Sequence, residues 1–168
     1  MAYNKRQHLA DNIAALELIF MRPEFCLTEE GRKVFERLFG FRGIEVHPES
    51  GGKKTRTLKD ERQTGNCFPQ VRLLHELLRE YSKDGKEYKA YVQSLKNSAL
   101  TAFYTPEPVV TAMQESLQLP GIRPGRFLDP SAGTGMFISG LKDVPEIHCF
   151  EKDMLTGKIL SSLYPEAG

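Results

Sequence analysis

Apolar residues near the start of the chain recur at three- and four-residue steps. Leu9, Ile13, Leu16 and Phe20 fall on one stripe between Arg6 and Met21, the period of an amphipathic helix. Pro23 ends that helix, because proline lacks the backbone N–H that the helical ladder needs. Thr28 followed by Glu29 and Glu30 has the form of an N-cap with a negative first turn. It opens a second helix with Val34, Phe35 and Leu38 on its apolar face, ended by Gly40 and Gly43. From Gly43 to Phe68 the pattern lapses into turn-forming and charged residues, HPESGGKKTRTLKDERQTGN, which predicts a long surface loop. Periodicity returns with Val71, Leu74, Leu78 and Tyr81, and again with Tyr88, Val92 and Leu95. The breaker-rich Ser82-Lys83-Asp84-Gly85 separates these two helices.

After Ser98 the texture changes. Thr105 and Pro106 suit the N-cap and first position of a helix that runs to about Gln118, with Val109, Val110, Met113 and Leu117 as its buried face. Arg126 to Asp129 reads as a short buried strand, Gly135 to Leu141 as a helix, Ile147 to Phe150 as a second strand, and Met154 to Leu163 as a further helix. Strand, helix, strand, helix implies a parallel sheet with crossover helices. The predicted organisation is therefore α/β, with a helical amino-terminal domain over 1–97, its loop near 43–68, and an incomplete sheet domain over 98–168.

Composition narrows the function classes. With 40% hydrophobic and 27% charged residues in 168, a packed core is expected. Lys plus Arg at 23 against Asp plus Glu at 22 gives a net charge of +1, so no overall field announces a nucleic-acid partner. The basic run Lys53, Lys54, Arg56 and Lys59 is diluted by Glu49, Asp60 and Glu61 and reads as solvated loop. Cys26, Cys67 and Cys149 are an odd number at wide spacings, which suits reduced thiols better than a disulfide framework or a metal clip. His8, His47, His75 and His148 also lack ligand spacing, so no metal is expected. No run reaches the ~18 apolar residues of a membrane span, and the start MAYNKRQHLADN has no secretory apolar region. The expectation is a cytoplasmic protein without a membrane partner.

The residues that carry chemistry are Phe127-Leu128-Asp129-Pro130-Ser131-Ala132-Gly133-Thr134-Gly135-Met136-Phe137. A strand delivers an acidic residue and then a glycine turn to the carboxyl edge of the sheet, where open α/β folds bind ligands. Gly133 and Gly135 permit backbone conformations and a close approach that a Cβ blocks. Turn N–H groups and a helix start suit a carboxylate, and Asp129 suits an ammonium; an amino-acid moiety carries both. A phosphate loop of the form GxxxxGK[ST] is excluded because no Lys follows Gly135 at that spacing, and GxGxxG fails at Ile138. Glu151, ~20 residues beyond the turn at the tip of the next strand, has the position of a carboxylate that accepts from both ribose hydroxyls.

LDPSAGTGMF resembles the cofactor-binding motif of adenine-specific DNA methyltransferases, and Ala102-Phe103-Tyr104-Thr105-Pro106 with Val109-Val110 resembles the motif that precedes it there. The resemblance implies a Rossmann-like fold and S-adenosylmethionine as cofactor. It places Tyr104, Thr105 and Pro106 at the cofactor, with Thr105 at its carboxylate. Asp129 and the turn Ser131, Ala132, Gly133, Thr134 and Gly135 then hold the methionine part, Glu151 the ribose, and Phe137 and Lys152 lie near the adenine. Asn12 to Leu16, Thr28 to Glu30, Phe39 to Ile44, Leu95 to Pro106, Thr156 to Ile159 and Leu163 to Pro165 are similar to the amino-terminal region of large methylase-helicase proteins of conjugative and phage-like mobile elements. Phe41 stands where that family has Trp in a GWGG-like segment.

Methylation of adenine also needs a polar acceptor for the exocyclic amine and an aromatic wall for the extruded base. The family supplies them with [DNS]PP[FYW], and no such string occurs here, so no catalytic residue is assigned. The expectation is a cofactor-binding amino-terminal fragment, inactive alone, of a DNA-methylating enzyme of the restriction-modification or mobile-element kind, cut soon after its second crossover helix. DNA is expected as partner of the whole enzyme, and self-association through exposed strand edges as a property of the fragment. The alternatives are a regulatory or partner-binding module whose methyltransferase-like half is structural, and an RNA or protein methyltransferase with the same cofactor half.

Overall fold

A computed structural model of the chain describes residues 4–35, 68–101, 105–118, 121, 123–141 and 144–167. The predicted loop near 43–68 lies outside the described residues, apart from Phe68 at the start of a helix. Leu38, Gly40, the Phe41 segment and Tyr104 also lie outside them. Six α-helices and one parallel two-stranded sheet stand among the described residues, a mixed α/β composition. The chain divides into two compact units, 1–102 and 103–168.

In the first unit, helix α1 (Lys5–Met21) is capped by Asn4, whose side chain accepts from the Gln7 N–H. Its core stripe is Leu9, Asn12, Ile13, Ala15, Leu16 and Ile19. Phe20 is half-buried and stacks on Tyr81 at 5.3 Å while meeting Tyr91 edge-on at 5.7 Å. A 3-10 turn at Pro23–Leu27 follows, and helix α2 (Glu29–Phe35) begins at Thr28, whose Oγ1 accepts from the Gly31 N–H at 3.1 Å. That bond is the N-cap the sequence predicts.

Helices α3 (Phe68–Glu80) and α4 (Gly85–Thr101) pack on each other, and α3 also packs on α1. Asp84 starts α4 by accepting from the N–H groups of Lys86 and Glu87, each at 2.8 Å. The fully buried face of α4 is Tyr91, Ser94 and Leu95, whereas Tyr88 and Val92 of the predicted stripe are only half-buried. Tyr91 resolves its one polar atom by donating to Glu87 Oε1 at 2.9 Å, and burial followed by that neighbouring carboxylate pushes its phenol well above the ordinary tyrosine range. Buried His75 likewise shares a 2.9 Å hydrogen bond with the Tyr88 hydroxyl, with Arg79 over the Tyr88 ring at 5.0 Å.

In the second unit, helix α5 (Glu107–Gln118) precedes strands β1 (Arg126–Asp129) and β2 (Glu146–Cys149), and helix α6 (Met154–Leu163) closes it. The strands are parallel, with Arg126 opposite Glu146 and Asp129 opposite Cys149. Strand residues alternate between faces. Ile147 and Cys149 pack, with Tyr164, on a small core of Ala132, Ile138 and Leu160. On the other face Arg126 Nε pairs with the Glu146 carboxylate at 2.7 Å, and His148 Nε2 lies 2.8 Å from the same carboxylate in a hydrogen bond.

Three predictions about this unit need correction. The strands are not buried throughout: Leu128 is 62% exposed, as is Phe150 at 61% just past β2, so one sheet face stays bare among the described residues. Helix α5 buries Val110 alone of its predicted face, leaving Val109, Met113 and Leu117 exposed. Residues 133–140 form a run of turns instead of a helix. Gly133 and Gly135 have φ of 58° and 84°, in the left-handed region. The Phe137 carbonyl, which an α-helix would offer to the Leu141 N–H, accepts instead from Gln114 Nε2 at 2.9 Å, and the Leu141 N–H donates to Ile138 at 2.9 Å.

Glycine in a helix interior carries an entropic cost, yet Gly31 sits inside α2. A Cβ there would overlap the Phe25 carbonyl oxygen of the 3-10 turn. The close approach requires the glycine, so Gly31→Ala is expected to destabilise the first unit by about 1–3 kcal/mol in urea unfolding despite its better helix propensity.

Candidate functional site

The ends of the two strands generate the site. Beyond β1 and β2 the pairing continues as Phe150 N–H to the Asp129 carbonyl at 2.9 Å and Ala132 N–H to the Phe150 carbonyl at 3.0 Å. The chain after Asp129 is thereby folded back over the end of β2. Asp129 Oδ1 accepts from the Ser131 N–H at 3.0 Å, which turns the backbone at Pro130. Glu151 then bridges the turn to the next helix: Oε2 accepts from the Gly133 N–H at 2.9 Å and Oε1 from the Asp153 N–H at 2.7 Å. Asp153 in turn caps α6, its Oδ1 accepting from the N–H and hydroxyl of Thr156 at 3.0 and 2.9 Å.

Asp129, the turn Ser131 to Gly135 and Glu151 are thus brought into one hydrogen-bonded unit at the carboxyl edge of the sheet. Asp129 and Glu151 are half-buried, Ser131 is exposed, and Ala132 and Gly135 are buried. Gly135 has a second constraint besides its φ, because a Cβ on it would overlap the Tyr164 ring. Phe137 is half-buried and engaged through its carbonyl, whereas Lys152 is exposed. Thr105 is half-buried and Pro106 exposed at the start of α5, where the Pro106 carbonyl accepts from Val109 and Val110.

Several participants have no sequence motif. Gln114, Gly140, Asp153 and Tyr164 shape the turn or its surroundings, and of these only Asp153, a capping residue type ahead of an apolar run, has a signal in the sequence. Cys149 lies opposite Asp129, and its thiol is held above the ordinary cysteine range by burial and then by the Asp129 charge. Cys26 is raised by burial first. Among the described residues, no group of three or more His, Cys, Asp or Glu is placed to hold a metal.

A carboxylate has about four acceptor sites, so the backbone bonds to Asp129 and Glu151 leave capacity for ligand donors. Glu151, which accepts from the Gly133 amide, has capacity for hydroxyls, and Asp129, which accepts from the Ser131 amide, is the negative group nearest the glycine turn in sequence. Comparison with protein-family models, with curated proteins and with solved structures returns no match.

The Cys149 thiol reports on this charge. Asp129→Asn removes one of the two causes that raise it, so more thiolate forms at a given pH. The variant's Cys149 is expected to be alkylated by iodoacetamide faster than wild type at pH 8, read peptide by peptide by mass spectrometry, with Cys26 unaffected. Equal rates at Cys149 would contradict the proximity.

Proposed function

We propose that this chain is the cofactor-binding part of a methyltransferase of Rossmann-like fold, acting on adenine in DNA with S-adenosylmethionine. The observation that carries the reading is the joint engagement of Asp129, the Gly133 amide and Glu151 at the carboxyl edge of a parallel sheet. In open α/β sheets that edge is where ligands bind. The Ser131, Ala132, Gly133 and Gly135 amides donate within the protein, so the ligand needs an ammonium for Asp129, a carboxylate for the α5 start, and a diol for Glu151. An amino acid joined to a nucleoside combines all three.

In this reading Thr105 and the preceding Tyr104 and Pro106 meet the cofactor carboxylate, Ser131 to Gly135 its methionine part, and Glu151 its ribose. Phe137 and Lys152 stand toward the adenine. The cofactor supplies an activated methyl group; this chain binds and orients it. The acceptor half, [DNS]PP[FYW], does not occur in the sequence, so the chain alone is inactive and DNA is a partner of the complete enzyme. No helix among the described residues is long and apolar enough to cross a membrane, and the free thiols of Cys26 and Cys149 support a cytoplasmic setting. The two-stranded sheet has unpaired outer edges among the described residues, which supports self-association of the isolated chain.

Titration calorimetry with S-adenosylhomocysteine tests the assignment. A saturable heat is expected from the wild type, lost in Asp129→Ala and in Gly133→Val, the latter because a β-branched residue resists a φ of 58°. Equal heats from wild type and both variants, each folded by circular dichroism, would sink it.

A further inference from the structure

The carboxamide of Gln114 is half-buried on a helix whose neighbouring side chains, Met113, Glu115 and Ser116, are exposed. Its Nε2 donates to the Phe137 carbonyl across 23 residues of sequence. The amide rests directly against the Cα of Gly140, where any Cβ would overlap it. Gly140 has no positive φ, so space for the amide is what glycine provides there. Gln114 and Gly140 therefore form a lock between α5 and the run of turns that begins at the glycine loop.

The two segments that the lock joins each carry assigned cofactor contacts: Thr105 and Pro106 lie just before α5, and the turns include Ser131 to Gly135 and Phe137. Resting on the cofactor reading above, we infer that Gln114 is a positioning residue for the cofactor. Through the Phe137 carbonyl it fixes how the start of α5 stands relative to the Ser131 to Gly135 turn. It touches no cofactor atom itself. Its effect is transmitted through the Phe137 main-chain carbonyl, which the Leu141 N–H leaves for the Ile138 carbonyl.

The test is a double-mutant cycle on the full chain. Gln114→Met keeps the volume and removes the donor. Gly140→Ala leaves Gln114 in place and displaces its amide, at little cost to folding because the displaced group is the end of a flexible side chain. Amide exchange of residues 136–141 in the ligand-free protein and the Kd for S-adenosylhomocysteine are read together with Tm.

Each single variant is expected to speed the exchange and to weaken binding by roughly three- to tenfold, the size of one hydrogen bond, with Tm nearly unchanged. The double variant is expected to match either single one, because the two substitutions break the same contact. Additive effects on exchange, or wild-type exchange in Gln114→Met, overturn the lock. A coupled exchange effect with unaltered Kd overturns the positioning role. Wild type that binds no S-adenosylhomocysteine overturns the proposed function and the positioning role with it, and the exchange cycle then still shows whether the lock exists.

Discussion

The Glu151 carboxylate is the constraint on which the second unit depends. Two four-residue strands form a short ladder with little hydrogen bonding of their own. Glu151 extends it by accepting from Gly133 on one side and Asp153 on the other. Hydrogen bonds to an ionised acceptor are about twice as strong as neutral ones. One side chain thereby holds the glycine turn, the end of β2 and the start of α6. From that start α6 carries Leu160 into the small core, and Tyr164, just past its end, covers Gly135.

The same arrangement explains why the chemistry gathers at one edge. Parallel strands present both carboxyl ends on the same side, so the residues that follow Asp129 and Cys149 are neighbours without any long-range packing. The Ser131 and Gly133 amides meet the carboxylates of Asp129 and Glu151, and left-handed φ at Gly133 and Gly135 turns the backbone that follows. Two carboxylates at one edge repel an anion such as a phosphate.

What the sequence made legible and what it concealed divide by the range of the interactions. The N-cap at Thr28, the helix stop before Pro23 and the two parallel strands follow from local residue choice and periodicity, with the second strand at Glu146–Cys149, one residue earlier than the predicted Ile147–Phe150. Asp129, the glycine turn and Glu151 are legible because the spacing of a parallel crossover sets them near each other. The predicted helix over 135–141 is not formed: Gly135 takes a left-handed φ of 84°, the Leu141 N–H turns to the Ile138 carbonyl, and the Phe137 carbonyl accepts from Gln114 on another helix, a long-range contact that periodicity does not encode. Exposure of Val109, Met113 and Leu117 was equally hidden, since periodicity marks an apolar face without showing what covers it. The tight seat of Gly31 against Phe25 depends on a contact between consecutive elements that composition does not encode.

Amide NMR during titration with S-adenosylhomocysteine reads the site residue by residue. If Asp129, the turn and Glu151 form one ligand site, the Ser131, Gly133, Gly135 and Asp153 resonances shift together along a single saturable isotherm, while helices α1 to α4 stay unchanged. Saturable shifts that spare residues 131–135 and 151–153, or no shifts at millimolar ligand, would contradict it.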